Sequence, residues 1–436
     1  MCSGDGIEVH QVLDLLTSLV EKSLVVYEHR EGKARYRLLE TLREYSQDRL
    51  LESEVGEALR YRHLAFFLAF AEAAIPHLKS VGQAEWLELL EMEHDNLRSA
   101  LKFTLFNGGA ANEGPRLCTA LWRFWMTRGH LSEGLDWCKH VLEGPACPGP
   151  TRERADVLAA AGNLSLKRVD FASAGAYFEE CLSIRRVIGD QVGIATSLNN
   201  LGMVVDSCGD HAAAIAYFEE SLAIHRESDY RSGMAWALRN LGAIAMTQGN
   251  DVSARTYFED CLAIFREIGE RNGIAAALSC LGEISIAGSD HVSARVYLEE
   301  CLSIFREIGE QSGIVVALIH LVPVTAHLGD TSSARAYREE CLFMLKGVGD
   351  REWTVSVLRL FARDALLQNQ YERAAMLWGA AQGMCETPDT QYCYNKEVAA
   401  CRQAMGETAF DVAFGNGRPM SIGDAIELAL VQVSGN

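Results

Sequence analysis

Polar side chains recur forty residues apart on segments that are otherwise apolar. Asn200 and Asn240 form such a pair, and each follows another polar residue, Asn199 or Arg239. A carboxamide both donates and accepts hydrogen bonds, so amides at a regular spacing can bind the backbone of an extended peptide. The alternative is that these amides only join neighbouring repeats or face water.

The same forty-residue step governs the residues that must position these side chains. It relates four cysteines and one serine (Cys181, Ser221, Cys261, Cys301 and Cys341) and three leucine-glycine pairs (Leu201-Gly202, Leu241-Gly242 and Leu281-Gly282). A period of about 20–50 residues is typical of repeat proteins, whose units bury their apolar faces only by stacking. Within 191–228, helical spacing on both sides of Gly209 predicts a helical hairpin, with Asp210 as the cap of its second helix.

Composition and charge narrow the class of protein. The formal net charge of −19 disfavours binding to phosphate backbones, so we expect no direct nucleic-acid partner. The number of cysteines, thirteen, is odd, and four of them occupy one repeat position that holds Ser221 in a fifth repeat. This pattern indicates small buried thiols rather than disulfides. No apolar run has the roughly 18 residues of a membrane span, and we expect a cytoplasmic protein without a membrane partner.

The repeat resembles the tetratricopeptide repeat. The leucine-glycine, alanine, aromatic and second small positions of that family match Leu201-Gly202, Ala214, Phe218 and Ser221. The period is longer than usual, and arginines replace the usual proline near the end of the second helix (Arg226, Arg266 and Arg306). The resemblance implies an all-α, tetratricopeptide-like, right-handed superhelical solenoid.

The chain ends differ from the repeats. The N-terminal pattern predicts a helix over 12–20, strands over 23–27 and 34–38 around a turn at 29–33, and a helix over 40–51. This order is that of the tail of a winged helix. Further on, we expect one long helix over 84–106. At the other end we expect helices over 391–404, 406–415 and 421–432, with a capping box at Ser421. Pro323 should kink its helix.

These textures predict four parts. They are a partial winged-helix domain (1–54), a helical repeat-like region (55–148), tetratricopeptide repeats (149–386) and a C-terminal helical cap (387–436).

Three local stretches carry a wider resemblance. They are LLTSLVEKSLV with YRLLETLREYSQDRL (15–25 and 36–50), EHDNLRSALKF with LWRFWMTRGHLSEGLDWCKHVL (93–103 and 121–142), and YERAAMLWGAAQ (371–382) with AMGETAF and MSIGDAIELAL (404–410 and 420–430). Together they resemble the C-terminal portion of bacterial STAND-type regulatory ATPases with an NB-ARC-like domain, including large LuxR-type and SARP-type transcriptional regulators. In that family an ATPase precedes the winged helix and a tetratricopeptide sensor follows it. No G-x-x-x-x-G-K-[ST] phosphate loop occurs in this sequence, so an ATPase partner is expected in cis or in trans.

The repeat resemblance implies a concave groove lined by one face of each first helix. Spacing places these residues on it: Thr196, Asn199, Asn200, Met203, Trp236, Arg239, Asn240, Ala243, Glu283 and His320. We expect the groove to bind a protein or peptide.

Other reactive residue types favour structural roles. Trp122, Phe124, Trp125 and Trp137 fit a core better than a ligand cage, and Cys385, Cys393 and Cys401 lack zinc-ligand spacing. His211 and His291, at starts of second helices, and repeated glutamate pairs such as Glu299-Glu300 indicate solvated faces. We therefore expect no catalytic residues, no cofactor and no metal.

Three interpretations remain open. The first is a protein-binding or peptide-binding module that acts as a sensor or scaffold in signal transduction or transcription control. The second is the C-terminal part of a nucleotide-switched regulator whose ATPase lies outside this chain. The third, a stand-alone enzyme, has no catalytic arrangement to support it.

Overall fold

The computed structural model of the 436-residue chain describes residues 9–30, 33–53, 55–78, 82–106, 112–144, 147, 149–348, 351–367, 369–384 and 395–430. The chain divides into two compact units, residues 1–220 and 221–436. Helices dominate both units, and a two-stranded antiparallel sheet lies near the start of the first. The helical fold class with a small N-terminal sheet is confirmed. None of the helices, as far as they are described, is long and apolar enough to cross a membrane.

The first unit begins with a helix, a hairpin and a second helix. These are α1 (Val9–Glu21), β1 (Val25–Arg30), β2 (Lys33–Leu38) and α2 (Glu40–Leu51). The strands pair from Val25↔Leu38 to Arg30↔Lys33, with the rings of Tyr27 and Tyr36 5.5 Å apart. The predicted boundaries of the first strand were wrong at both ends. Ser23 adopts a left-handed φ of 55°, which delays β1 to Val25, and β1 continues through 29–30, where we expected a turn.

The rest of the first unit is helical. Its helices are α3 (Gly56–His77), α4 (Gln83–Met92), α5 (His94–Phe106), α6 (Glu113–Arg128), α7 (Leu131–Glu143), α8 (Arg152–Lys167), α9 (Phe171–Ile188), α10 (Gln191–Ser207) and α11 (His211–Glu227), which extends past residue 220. The single helix predicted over 84–106 is wrong. Glu93, at φ −99° and ψ 8°, leaves the helical region and separates α4 from α5.

The second unit continues the hairpins and ends in a helical cap. Its helices are α12 (Arg231–Thr247), α13 (Asp251–Ile268), α14 (Arg271–Ala287), α15 (His291–Ile308), α16 (Gln311–His327), α17 (Thr331–Val348), α18 (Arg351–Leu367), α19 (Tyr371–Gly383), α20 (Asn395–Met405), α21 (Glu407–Gly417) and α22 (Ile422–Leu430). Helix α16 runs through Pro323, and the kink there stays a prediction. The Ser421 hydroxyl accepts from the Asp424 amide at 3.2 Å, as a helix cap does. The parts of the predicted cap helices at 391–394 and 431–432 lie outside the described residues.

A glycine packed against a large side chain holds the two helices of a hairpin together. A Cβ added to the glycine of any leucine-glycine pair would lie 2.5–2.7 Å from an atom of the facing side chain, closer than real contacts allow. Gly202 faces Phe218 in the first unit, and Gly242 faces Phe258 in the second. Because Phe218 and Phe258 are 1% and 0% exposed, these contacts lie at the centre of each hairpin.

The repeated cysteines are buried, as the sequence indicated. Cys181, Cys261, Cys301 and Cys341 are at most 2% exposed, and Ser221 is 0% exposed. The Cys181 thiol donates to the Ala155 carbonyl at 3.2 Å. Burial raises the pKa of Cys261 to about 12, so that thiol stays neutral.

Surface ion pairs connect neighbouring hairpins in the second unit. Arg266 pairs with Glu300 at 2.7 Å and Arg306 with Glu340 at 2.5 Å, and both arginines occupy the position where the tetratricopeptide family has proline. The glutamates of this repeat position therefore form part of the stack, although the sequence indicated only a solvated face. Each exposed pair contributes no more than about 1 kcal/mol.

A buried histidine interrupts one repeat position. His225 lies forty residues before Phe265 and is 1% exposed, with Nδ1 lacking a hydrogen-bond partner in the described part of the chain. Its ring packs against Gly233, as the Phe265 ring packs against Gly273. Burial lowers the pKa of His225 to about 4, because the charged form is poorly solvated there.

We predict that Gly242→Ala lowers stability by about 1–3 kcal/mol, since the added methyl group overlaps the Phe258 ring. The measurement is thermal unfolding followed by far-UV circular dichroism. Gly175→Ala is the matched control. Its added Cβ would be 3.7 Å from the nearest atom, on Val204, so it should be neutral or stabilise by up to about 1 kcal/mol. Equal effects of the two substitutions would contradict the close contact.

His225 makes stability depend on pH. The unfolded histidine has a pKa near 6.5 and the folded one about 4, so the unfolded chain binds more protons between these values. Stability is thus present above pH 6.5 and is lost as the pH falls toward 4, by up to about 3 kcal/mol.

His225→Phe should remove this loss, because phenylalanine does not titrate and matches Phe265. The melting temperature at pH 7 and pH 5 measures the effect, with exposed His140→Gln as the control. A pH dependence as large in His225→Phe as in the unsubstituted chain would exclude His225 as its source.

Candidate functional site

The expected groove residues lie on the first helices of the hairpins and are mostly half-buried. In the first unit, α10 carries the unit-1 face, which is Thr196, Asn199, Asn200 and Met203. In the second unit, α12, α14 and α16 carry the unit-2 face, which is Trp236, Arg239, Ala243, Glu283 and His320. Along these helices, the residues of each face alternate with buried residues such as Leu198 and Leu238. The assignment of these residues to binding stays a prediction.

The unit-1 face is polar but much of its hydrogen-bonding capacity is used within the helix. The Thr196 hydroxyl donates to the Val192 carbonyl at 2.8 Å, and the Asn199 amide lies 3.9 Å from the Met203 sulfur. Asn200 is half-buried. This face therefore offers the amides of Asn199 and Asn200 beside a flexible thioether.

Sequence reasoning missed two polar residues on α8, in the same unit. Asp156 and Asn163 lie forty residues before Thr196 and Met203 and are also half-buried. Burial raises the pKa of Asp156, and Arg185, 3.1 Å away, partly offsets this. Subtracting the forty-residue period from the positions of Thr196 and Met203 would have located both residues in the sequence.

The unit-2 face is built around Trp236 and Arg239. The Trp236 indole donates to Glu270 at 3.0 Å, and its ring meets the Phe265 ring edge-on at 5.1 Å. Arg239 donates to the Asn240 side chain at 3.4 Å, and its Nε has no hydrogen-bond partner among the described residues. Asn240 itself is only 7% exposed. Although Asn200 and Asn240 are equivalent in sequence, only Asn200 retains appreciable exposure.

A carboxylate and an imidazole complete the unit-2 face. Glu283 on α14 lies 3.6 Å from His320 on α16 and accepts from the Ser279 hydroxyl at 3.4 Å. Each of these side chains is about one-third exposed. The face therefore presents a guanidinium together with a carboxylate–imidazole pair, which suits hydrogen bonding to a polar chain.

The other residues considered from sequence have structural contacts. Phe124 and Trp125 are 0% exposed, so the expectation that they belong to a core is confirmed. His211 pairs with Asp206 at 2.8 Å, and His291 stacks on His327 at 4.6 Å. Trp122 and Trp137 are half-buried, and Cys401 is buried. Cys385 and Cys393 lie outside the described residues.

A cavity of about 620 Å³ between the start of α19 and the C-terminal helices was also not predicted from the sequence. It is lined by Asn369, Gln370, Tyr371, Glu372, Arg373, Met376, Met405 and Leu428. Its one arginine, Arg373, donates to the carbonyls of Leu428 and Ala429 at 3.1 and 2.7 Å. The Arg373 side chain therefore joins α19 to the end of α22, and we assign it a structural role rather than a role in ligand binding.

Stacked helical hairpins with a glycine–aromatic contact and a half-exposed polar face define a helical-repeat protein. The family model of the tetratricopeptide repeat matches residues 153–227 and 233–310. Those residues are tetratricopeptide repeats.

Curated relatives are longer than this chain. A protein of Mycobacterium bovis that bears the name of an HTH-type transcriptional regulator is 34% identical over 215 residues, which are 46% of this chain and 23% of that protein. A similarly named protein of Mycobacterium tuberculosis gives the same figures. The chain thus matches about a quarter of the length of these relatives.

One solved structure shares the fold, and a second has a lower TM-score. A Rap protein complexed with Competence and Sporulation Factor is 13% identical, with a TM-score of 0.53 over 84% of this chain and 99% of that one. A STAND protein with a tetratricopeptide repeat sensor from Pyrococcus horikoshii is 14% identical, with a TM-score of 0.48 over 91% of this chain and 60% of that one.

Proposed function

We propose that this chain is a non-catalytic, cytoplasmic sensor module that binds a protein or peptide. The observation that carries the proposal is the unit-2 face, where Arg239, Glu283 and His320 are half-exposed on stacked tetratricopeptide hairpins. The likeness to the Rap protein concerns the fold, so the chemistry of the partner has to come from these side chains.

The side chains favour an extended segment with an acidic group. Arg239 is half-exposed, and its guanidinium pairs best with a carboxylate. Glu283 can accept from backbone amides of the same segment while His320 holds it in place at 3.6 Å. On the unit-1 face, Asn199 and Asn200 provide amides of the kind that hydrogen-bond a peptide backbone.

We expect Arg239→Ala to weaken peptide binding by about tenfold or more, because a hydrogen bond to a charged group contributes about 1.5–3 kcal/mol. Candidate peptides come from an array of acidic and neutral sequences, and fluorescence anisotropy measures their affinity for the full chain. Glu283→Gln should weaken binding less, since it keeps an acceptor oxygen.

The matched control is Arg335→Ala, which removes the same charge from the second unit. Arg335 pairs with Glu339 on its own helix, α17, so its loss should leave the affinity unchanged. Peptides bound equally by all three variants and the unsubstituted chain would place the binding site elsewhere and refute the role of the unit-2 face.

A second function rests on a different observation. The regulators that this chain resembles extend well beyond the 215 aligned residues. We propose that residues 1–54 are part of a winged helix, that 55–148 and 149–386 form a repeat sensor, and that 387–436 cap it. In this proposal the sensor controls a nucleotide-switched ATPase, joined in cis or supplied in trans, within a STAND-type transcriptional regulator of the LuxR or SARP kind.

The genome sequence around the coding region tests this second function. We predict that the reading frame extended upstream of the Met1 codon, or an adjacent gene, encodes a G-x-x-x-x-G-K-[ST] loop. An in-frame stop directly upstream, with no neighbouring ATPase gene, would refute the arrangement while leaving peptide binding untouched.

A further inference from the structure

Two histidines and a glutamate meet in the first unit, away from the unit-1 face. They are Glu91 in the last turn of α4, His94 at the start of α5 and His130 directly before α7. One side-chain ligand atom from each lies within 4.8 Å of the others. The Nε2 atom of His130 is 3.1 and 3.2 Å from the two carboxylate oxygens of Glu91. Ligands about 2.1 Å from a tetrahedral Zn²⁺ are about 3.4 Å apart, so these side chains need little movement to share an ion.

The buried histidine of this group has unused bonding capacity. His94 is 6% exposed, and its Nε2 has no hydrogen-bond partner among the described residues. Glu133 Oε1 is 3.4 Å from that nitrogen, long for a hydrogen bond. The ring is fixed by an edge-on contact with Phe124 at 5.1 Å and lies 4.5 Å from the His130 ring. A buried imidazole that has an unpartnered nitrogen and lies beside a second imidazole is suited to bind a metal ion.

The local charges are compatible with a cation. The guanidinium of Arg98, which acts on His94, donates two 2.6 Å hydrogen bonds to Glu133 and pairs with Asp95 at 3.1 Å, so its charge is compensated. The starts of α5 and α7 carry partial positive charge, which disfavours a cation there. Glu91 and Glu133 provide the negative charge that offsets it.

We infer that Glu91, His94 and His130 form a binding site for a transition-metal ion, with Zn²⁺ as the occupant that the ligands fit best. Imidazole nitrogens select zinc and similar ions over Mg²⁺ and Ca²⁺, which prefer oxygen ligands throughout. Two histidines and a glutamate leave a fourth tetrahedral position for water or an anionic group.

The site lies where the N-terminal hairpin contacts the helical region. Arg35 on β2 donates to the carbonyl of Met92 and pairs with Glu93 at 3.4 Å, directly between Glu91 and His94 in sequence. An ion bound by α4, α5 and the start of α7 therefore holds the same α4–α5 junction that the hairpin contacts. Metal occupancy should stabilise this junction, since a ligand that binds only the folded state raises its stability.

Calorimetric titration of the full chain with Zn²⁺, after stripping with EDTA and blocking thiols with iodoacetamide, tests the site. We expect one saturable site per chain that raises the melting temperature. Glu91→Gln and His130→Ala should each weaken Zn²⁺ binding by at least about tenfold and abolish the thermal shift. His130 makes no side-chain cap hydrogen bond to α7, so its replacement should leave the helix intact, which circular dichroism verifies.

His140→Ala is the matched control, because His140 is exposed on α7 and lies outside the cluster. With Co²⁺ as the probe, visible d–d bands of tetrahedral type without thiolate charge-transfer absorption support histidine and carboxylate ligands. Three results would overturn the inference: no saturable Zn²⁺ binding, equal affinity in His130→Ala and the unsubstituted chain, or a thiolate band in the Co²⁺ spectrum.

Discussion

The close contact between a helix glycine and an aromatic ring is the constraint from which the repeat structure follows. At Gly202–Phe218 and Gly242–Phe258 the two helices of a hairpin approach so closely that no Cβ fits between them. Each hairpin is locked by this contact, yet it leaves apolar surface on both sides that only neighbouring hairpins can bury. The buried thiols, such as Cys261, fill the remaining narrow space, and Ser221, which is of similar size, occupies the same repeat position.

The same packing determines which residues remain available for binding. On the first helix of a hairpin, one face is buried by the partner helix and another by the next hairpin. A single half-exposed stripe of side chains remains. Side chains on that stripe take no part in the glycine–aromatic contact, so they can differ between repeats. Thr196 and Trp236 occupy equivalent positions and share no chemistry, whereas Gly202 and Gly242 are identical. This contrast separates a conserved scaffold from a variable surface within one chain.

Periodicity predicted the fold well and the sites poorly, for a physical reason. The forty-residue step reflects packing, which repeats, so the hairpins, the helix cap at Asp210 and buried cysteines such as Cys181 could be predicted from the sequence. It could not show that Asn240 is buried while Asn200 is not, since the difference depends on individual neighbours such as Arg239. The break at Glu93 was missed because the helical pattern continues across it. Glu91, His94 and His130 were not grouped because they come from separate segments: the end of α4, the start of α5 and the residue before α7.

Nearest-neighbour stacking also has a mechanical consequence for the tetratricopeptide hairpins. Each is bound to the next through apolar contacts and surface pairs such as Arg266–Glu300, and no disulfide closes the described cysteines into covalent loops. Under tension such an array yields hairpin by hairpin. A forty-residue repeat releases about 140 Å of extended chain when it opens. Because each repeat contacts only its neighbours, one repeat can open while the others stay folded, and the chain would lengthen by one such step at a time.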